Sequence, residues 1–281
     1  MGYESFEVSV ADQVAHVTMS RPGEYNSMNT SFWAELPVIV RGLSEGGEAR
    51  AIVLDAQGKH FCSGMDLAVF GGGEDIGEGD AQLEAGRSRA STRELILALH
   101  ETFTCLEQAR MPVLAAVQGA CVGGGIDMIS ACDMRYATAD AFFSIAEIDI
   151  GMTADVGTLQ RLPKIVPEGI VRELAYTGWR MGAERAAEVG LVNQIFDTLE
   201  QMEEGVHDIA AQIARKSPLA VWGTKEMINY TRDHTVADSL NYIATWNAGM
   251  LQSADMVESF KAKKARRDPV YDDLAPTRKT L

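Results

Sequence analysis

The stretch VLAAVQGACVGGG, residues 113–125, joins a short apolar run to a turn of three glycines. Five consecutive apolar residues that are small or branched are typical of a strand that is buried on both faces. A second run of this kind, AIVL, occupies residues 51–54. Helical patterns lie between the strand patterns of the first half of the chain, so we predict an α/β fold around a mostly parallel sheet.

The pattern changes in the second half of the chain. From about residue 156 onward it is mainly helical, with long helical patterns over residues 199–215, 217–230 and 236–265. Two arrangements fit this pattern: a small second domain, or a helical cap that packs on neighbouring molecules.

The composition narrows the classes of function. The chain has 281 residues, 25 Lys and Arg against 40 Asp and Glu, and a formal net charge of −15. An acidic surface repels phosphate backbones and anionic lipids, which argues against nucleic-acid and membrane partners.

Four scattered cysteines without a CxxC pair indicate buried, reduced thiols. The sequence lacks the nucleotide motifs GxGxxG and GxxxxGK[ST], the metal motif HExxH and the nucleophile elbow GxSxG.

Two glycine-containing turns each follow one of the buried-strand runs. Residues 63–65 (SGM) come after the first run, and residues 123–125 (GGG) come after the second. Glycine leaves backbone N–H groups unshielded, so two such turns side by side can aim two donors at one oxygen, as in an oxyanion hole. Tight packing of strand against helix explains the same glycines, and spacing alone favours that explanation.

Three acidic residues lie among apolar neighbours beyond the second turn. They are Asp127, Glu147 and Asp155. Burial disfavours an ionised carboxylate and raises its pKa, which suits general acid–base chemistry near neutral pH. Each residue has a structural alternative, a helix cap or a buried salt bridge, and Asp155 in particular fits an N-cap of the helix that begins near Gly157. Spacing alone favours these alternatives over catalysis.

Six motifs are spread over nearly the whole chain. They are Arg21-Pro22 with NSMN (26–29), FCSGMDL (61–67), PVLAAVQG (112–119), GGG (123–125), CDMR (132–135) and GLVN (190–193). Together they resemble the enoyl-CoA hydratase/isomerase (crotonase) superfamily. Two longer stretches are similar to its Δ3,5-Δ2,4-dienoyl-CoA isomerase branch, namely DMISACDMRYATADAFFSIAEIDIGMTADVGTLQRLPK (127–164) and ATWNAGMLQSAD (244–255).

The resemblance implies an architecture, an assembly and a binding site. We expect a crotonase-like spiral of ββα units over residues 1–197, a C-terminal helical trimerisation region over residues 198–281, and homotrimers that pair into homohexamers. The resemblance also implies that the backbone N–H groups of Met65 and Gly124 form an oxyanion hole for the thioester oxygen of an acyl-CoA. The residues expected to contact this substrate are Ser63, Gly64, Met65, Asp66, Leu67 and Gly124.

The isomerase branch implies a reaction. Its members move a 3,5-diene into 2,4-conjugation, removing a proton at C2 and adding one at C6, in the β-oxidation of unsaturated fatty acids. Glu147 is expected at C2 and Asp155 at C6, with the reverse assignment open, and Asp127 is expected to support them. Hydratases of the superfamily carry a small or apolar residue at position 155. The reaction needs no metal, flavin or nicotinamide, and CoA is part of the substrate.

Other functions stay open on the same resemblance. Hydration of 2-enoyl-CoA and Δ3-Δ2-enoyl-CoA isomerisation use the same scaffold, although Asp155 argues against hydration. A catalytically silent binding protein, such as the RNA-binding members of the superfamily, is opposed by the net charge of −15.

The CoA phosphates require cations, and several basic residues are candidates. They are Arg21, Lys59, Lys261, Lys263, Lys264, Arg266 and Arg267. The basic tail also fits a solvated helix end, and Gly23 stands where some hydratases carry a lysine.

The acidic loop GGGEDIGEGD (71–80) lies where acyl-pocket or lid segments occur in the superfamily, so we expect it to set chain-length preference. The C-terminal RKTL (278–281) is not the Ser-Lys-Leu peroxisomal address, from which we predict a cytoplasmic, bacterial protein.

Overall fold

The computed structural model describes residues 2–66, 68–69, 85–251 and 254–278. In chain order the strands are β1 (Phe6–Ala11), β2 (Val14–Met19), β3 (Ala51–Ala56), β4 (Val113–Val117), β5 (Ala120–Val122), β6 (Met134–Thr138), β7 (Phe142–Ser144), β8 (Met181–Gly182) and β9 (Gln194–Phe196). Within the described ranges, six strands form a main sheet in the order β1-β2-β3-β4-β6-β9, and three form a second sheet in the order β5-β7-β8.

The main sheet is parallel except at one edge. Strands β1 and β2 form an antiparallel hairpin, and its turn residues Asp12 and Gln13 have φ angles of 48° and 66°. The later neighbours in this sheet pair in parallel. Parallel strands need crossover connections, which place helices on the faces of a sheet. The mostly parallel α/β sheet that the sequence predicts is therefore confirmed.

Helices separate the strands and then dominate the second half of the chain. In chain order they are α1 (Thr30–Gly46), α2 (Ala85–Gln108), α3 (Gly124–Ser130), α4 (Thr158–Arg161), α5 (Glu168–Thr177), α6 (Ala183–Glu188), α7 (Leu199–Ala214), α8 (Pro218–Thr231), α9 (Val236–Met250) and α10 (Ala254–Ala265). Short 3₁₀ segments occupy Pro22–Glu24, Ala146–Ile150 and Leu162–Lys164. No helix in the described part of the chain combines the length and the apolarity that crossing a membrane requires.

Apolar side chains cover both faces of the main sheet. All five residues of β4 are buried, as the sequence predicts. One face packs in a large core that includes residues of α1, α2 and α3. On the other face, Met202 and Val206 of α7 belong to a cluster with Val53 and Leu114. Helix α7 follows the predicted boundary at residue 197, and that division of the chain stays a prediction. All four cysteines are buried and free.

A buried ammonium group fixes α8 to the core. Lys225 Nζ donates to the carbonyl oxygens of Leu106 at 2.8 Å and Met111 at 3.0 Å, and to Asp133 Oδ2 at 2.8 Å. Three acceptors match its three N–H donors, which is the condition for keeping such a charge away from water. Asp133 Oδ2 also accepts from Val113 N at 2.7 Å. The side chain therefore links α8 to the end of α2 and the start of β4.

The helical segment that follows Gly157 is divided into two parts. Helix α4 ends at Arg161, and Leu162–Lys164 forms a 3₁₀ turn. Pro163 has no N–H to donate, and its ring clashes with the preceding turn of an α-helix, so the helix does not continue through it.

Candidate active site

The two glycine turns lie side by side. Cys62 and Cys121 form a parallel bridge, in which Cys62 N donates to Ala120 O at 2.9 Å and Val122 N donates to Cys62 O at 3.0 Å. A Cβ placed on Gly64, whose φ is 94°, would lie 3.1 Å from Val122 O. The backbones of the two turns therefore contact each other, and both the φ angle and the space favour glycine at position 64.

A parallel bridge joins the first glycine turn to Met28, and the N–H group of Met65 takes no part in its hydrogen bonds. Met28 N donates to Gly64 O at 2.9 Å, and Met28 O accepts from Asp66 N at 3.1 Å. In this parallel bridge Met28 bonds to the residues on either side of Met65. The Met65 N–H group consequently lies outside the bridge, and it has no acceptor in the part of the chain that the structure describes.

The amide of Gly124 lies next to that of Met65. Gly124 is the first residue of α3, where an N–H group has no acceptor inside the helix. A Cβ placed on Gly124 would lie 2.8 Å from Met28 Sδ and 4.0 Å from Met65 N. A side chain at position 124 would therefore collide with Met28 and crowd the Met65 amide. The geometry permits the oxyanion hole of Met65 and Gly124, whose role stays a prediction.

Glu147 lies beside these amides. It follows β7 in the 3₁₀ segment Ala146–Ile150, and its Oε1 would be 3.2 Å from a Cβ placed on Gly123. Its Oε2 is buried and has no hydrogen-bond partner within the described residues. Burial raises the pKa of Glu147 to about 7, and the negative charge of Asp127 adds to this effect. A carboxylate with this pKa can hold or release a proton near neutral pH.

Asp127 lies in the interior and caps a helix. Its side chain is buried within α3, and its Oδ1 accepts from Thr158 N at 2.6 Å. Burial raises its pKa to about 6, although the hydrogen bonds from Thr158 oppose the rise. The sequence allows Asp155 as the cap of α4, but in the structure Asp127 provides this cap. Gly157 occupies the N-cap position of α4, and it has no side chain that could accept a hydrogen bond from the helix.

Asp155 occupies a different environment. It is exposed, in a segment without regular secondary structure that precedes α4. It lines a polar cavity of about 590 Å³ together with His100, Glu107 and Arg161. Its charge contributes to the raised pKa values of Asp127 and Glu147, after the larger effect of burial. The structure therefore brings the three predicted carboxyl groups within electrostatic range of one another.

The remaining predicted substrate contacts belong to the first glycine turn. Ser63 N donates to Tyr25 O at 3.1 Å. Asp66 is engaged inside the turn, where its carboxylate accepts from Ser27 Oγ at 3.2 Å and from Ala68 N at 3.0 Å. Leu67 and the acidic loop over residues 71–80 lie outside the described residues.

The candidate cations for the CoA phosphates differ in whether other protein groups already bind their side chains. Arg21 donates to Ser27 O at 2.8 Å, and Arg267 forms a two-bond ion pair with Glu258 at 2.6 and 3.0 Å. Lys59 is exposed, as are the other basic residues of the tail. Lys59 is therefore open to solvent, whereas protein groups engage the charges of Arg21 and Arg267.

Sequence reasoning missed the residues that hold the segment around Asp155. His100 Nε2 lies 2.7 Å from Asp155 O, and Arg161 Nη1 lies 3.4 Å from Val156 O. His100 belongs to a helical pattern without a motif, and its partner lies 55 residues away. No local signal could have identified this contact.

Residues 9–274 match the family described as Enoyl-CoA hydratase/isomerase. The chain belongs to this family. It is 43% identical over 268 residues to the mitochondrial Δ(3,5)-Δ(2,4)-dienoyl-CoA isomerase of Mus musculus, which covers 95% of this chain and 81% of that relative. It is 39% identical over 275 residues to the peroxisomal Δ(3,5)-Δ(2,4)-dienoyl-CoA isomerase of Arabidopsis thaliana, which covers 97% and 98% of the two chains.

The fold of the family is also shown by a solved structure. The crystal structure of an enoyl-CoA hydratase from Bacillus anthracis matches this chain with a TM-score of 0.84 and 29% identity, over 95% of this chain and 99% of that one. The resemblance to the crotonase superfamily and the α/β crotonase-like fold, both stated from sequence, are therefore confirmed.

The predicted localisation is wrong. The two relatives above are named as a mitochondrial and a peroxisomal enzyme, which contradicts a cytoplasmic protein. The prediction relied on the absence of one C-terminal tripeptide. A tripeptide of this kind is a receptor-read address, so its absence carries no information about other addresses.

Proposed function

We propose that this chain is a Δ3,5-Δ2,4-dienoyl-CoA isomerase that acts on unsaturated fatty acyl-CoA in β-oxidation. One observation carries the proposal. The carboxyl group of Glu147 rests against Gly123, next to the Gly124 amide, and the charges of two further carboxyl groups, those of Asp127 and Asp155, add to the effect of burial on its pKa. A reaction that moves a proton between two distant carbons needs two such groups, because one carboxylate does not reach both ends of the diene. The names of the relatives support the same reaction.

The amides stabilise the charge that develops in the reaction. The thioester oxygen accepts hydrogen bonds from Met65 N and Gly124 N. Loss of a proton from C2 gives a dienolate whose negative charge is shared with that oxygen. Each donor in such a hole typically contributes about 2.7–4 kcal/mol to stabilising the transition state.

The positions of the carboxylates support Glu147 at C2 and Asp155 at C6. Glu147 Oε1 lies against Gly123, the residue before the Gly124 amide, and C2 is the carbon next to the thioester carbonyl. Asp155 lies in the exposed segment, where it can meet the far end of the diene. The C2–H bond breaks and its proton goes to Glu147; the double bonds move from positions 3 and 5 to positions 2 and 4; and a proton from Asp155 forms the new C6–H bond.

Each turnover leaves Glu147 protonated and Asp155 ionised. One proton must return from Glu147 to Asp155, directly or through solvent, before the next substrate reacts. Asp127 supports the cycle, because its charge raises the pKa of Glu147 and so helps it to hold the proton. This mechanism requires no cofactor, since CoA is part of the substrate.

We also propose that the chain forms trimers that pair into hexamers. Helices α8, α9 and α10 carry the apolar side chains Ile228, Leu240 and Phe260, which are 61–66% exposed. Exposed apolar side chains of this size support an assembly surface on these helices. Sedimentation velocity tests the assembly: masses of three or six chains of 30.5 kDa are expected, and a monomer would contradict it.

A spectrophotometric assay tests the activity. The purified protein is mixed with a 3,5-dienoyl-CoA, and the absorbance of the conjugated 2,4-diene is followed. The same preparation is then given a 2-enoyl-CoA, whose absorbance falls on hydration. We expect conjugated product from the first substrate and little hydration of the second. Rapid hydration without formation of the conjugated diene would replace this proposal with a hydratase.

A further inference from the structure

We infer that His100 is a positioning residue for Asp155, an inference that rests on the proposed function. Within the described residues, no hydrogen bond or ion pair holds the carboxylate of Asp155. The place of that carboxylate therefore depends on the backbone of its own segment, which lacks regular secondary structure from residue 152 to residue 155.

His100 holds that backbone at Asp155 itself. The distance from His100 Nε2 to the carbonyl oxygen of Asp155 is 2.7 Å. A carbonyl oxygen only accepts, so His100 Nε2 carries the proton of this hydrogen bond. His100 lies on α2, two turns before the end of that helix. The contact thus ties the loop before α4 to a long helix from another part of the chain.

A second contact holds the next peptide. Arg161 Nη1 lies 3.4 Å from the carbonyl oxygen of Val156, and Arg161 Nε donates to Glu107 Oε2 at 2.8 Å. Arg161 Nη2 also donates to Thr104 Oγ1 at 3.1 Å. Because Thr104 and Glu107 both lie on α2, the same helix supports two consecutive carbonyl groups at and after Asp155.

His100 and Arg161 do not support this segment equally. The Arg161 contact to Val156 is long, and the guanidinium is shared with two acceptors on α2. The His100 bond is short and is made to the residue that carries the acid. Loss of His100 therefore frees the backbone of Asp155, while the ion pair of Arg161 with Glu107 keeps α4 against α2.

The base is held by other contacts. Glu147 lies in a 3₁₀ segment whose peptides bond among themselves, with Met152 N donating to Glu147 O at 2.9 Å, and its carboxylate rests against Gly123. None of these contacts involves α2. His100 consequently acts directly on protonation at C6, and it reaches removal of the C2 proton only through the smaller effect of the Asp155 charge on Glu147. Displacing a catalytic group by about 1 Å can lower a rate by about 10²-fold.

The test separates the two half-reactions. A 3,5-dienoyl-CoA is incubated with the full-length enzyme in D₂O and the reaction is stopped at partial conversion. Deuterium at C2 of the recovered substrate reports the base and the oxyanion hole, and conjugated product reports delivery of the proton to C6. The variants are His100→Ala, His100→Gln, whose amide N–H can replace Nε2–H, and the matched control Arg93→Ala on an exposed position of α2.

In His100→Ala we expect product formation to fall by about 10- to 100-fold while exchange at C2 continues, so the ratio of exchange to product rises. His100→Gln is expected to recover most of the product rate, and Arg93→Ala to match the wild type. A parallel loss of exchange and product in His100→Ala would indicate a structural role and overturn the inference, as would an unchanged ratio. A wild-type enzyme that forms no conjugated product would instead overturn the proposed function, and the role of His100 with it.

Discussion

Glu147 and Asp155 lie in the same segment between β7 and α4, but their side chains have different exposure to solvent. One carboxylate oxygen of Glu147 is buried and has no hydrogen-bond partner among the described residues, and burial and the charge of Asp127 raise the pKa of this side chain to about 7. Asp155 is exposed at a polar cavity and is fixed through its backbone by a histidine. The difference teaches that desolvation adjusts the proposed base, whereas a peptide contact places the proposed acid, which stays open to water.

Replacing Glu147 by Gln tests the buried side of this comparison. The amide keeps the shape of the side chain but accepts no proton, so C2 exchange and product formation are both expected to fall by roughly 10⁴-fold. Mass spectrometry of substrate recovered from D₂O measures the exchange, and Glu184→Gln, at an exposed position of α6, is the matched control. Exchange that persisted in Glu147→Gln would place the base elsewhere.

Replacing Asp155 by Asn tests the exposed side. Without an acid at C6, product formation is expected to fall by roughly 10³-fold, whereas C2 exchange and acyl-CoA binding are retained. The measurements are the absorbance of the conjugated diene, the deuterium content at C2 and calorimetric binding of a saturated acyl-CoA. Asp208→Asn on α7 controls for the loss of one negative charge. A near-normal rate of product formation would remove Asp155 from the mechanism.

The proposed oxyanion hole would serve both halves of the proposed reaction, so damage to it should lower C2 exchange and product formation together. Met65→Pro deletes one N–H donor, and we expect exchange and product to fall in parallel by roughly 10²-fold. Met65→Ala keeps the donor and is expected to be mild. If the two substitutions caused the same loss, packing of the Met65 side chain would explain the effect and the amide would not.

The smallest expected effect concerns the electrostatic link to Asp127. The base must be ionised to react, so the rate of C2 exchange, which needs no proton from Asp155, should rise with pH through about 7, the pKa of Glu147. Asp127→Asn removes a neighbouring negative charge, which lowers the pKa of Glu147, so the rising limb should move to lower pH. A pH–rate profile of the two enzymes measures this shift. A limb that stays in place would show that burial alone sets the pKa of Glu147.

The sequence predicts features that have a local signature. The apolar runs over residues 51–54 and 113–117 identify β3 and β4, because a strand buried on both faces has no polar side. The N-cap of α1 has a signature of the same local kind, because Asn29 stands directly before the helix and its side chain accepts from Phe32 N at 2.8 Å. The acidic residues among apolar neighbours are also visible in sequence, although their roles stay predictions.

The features that were not predicted depend on contacts between distant residues. The cap of α4 comes from Asp127, which lies 31 residues before Thr158 and on another helix. A rule for capping considers the residue next to a helix, so it directs attention to Asp155. The contact of His100 with Asp155 likewise exists only after α2 has packed beside the loop. Such pairs are fixed by tertiary structure and leave no pattern along the chain.

Chemical labelling of the buried Lys225 ammonium would report how often the C-terminal helices detach from the core. An amine-directed reagent reacts with a deprotonated, accessible nitrogen, and Lys225 is only 4% exposed and donates to three oxygens. Its labelling therefore requires α8 to detach from the end of α2, whereas exposed lysines such as Lys59 are labelled at once. The ratio of the two labels over time measures how often the C-terminal helices separate from the core.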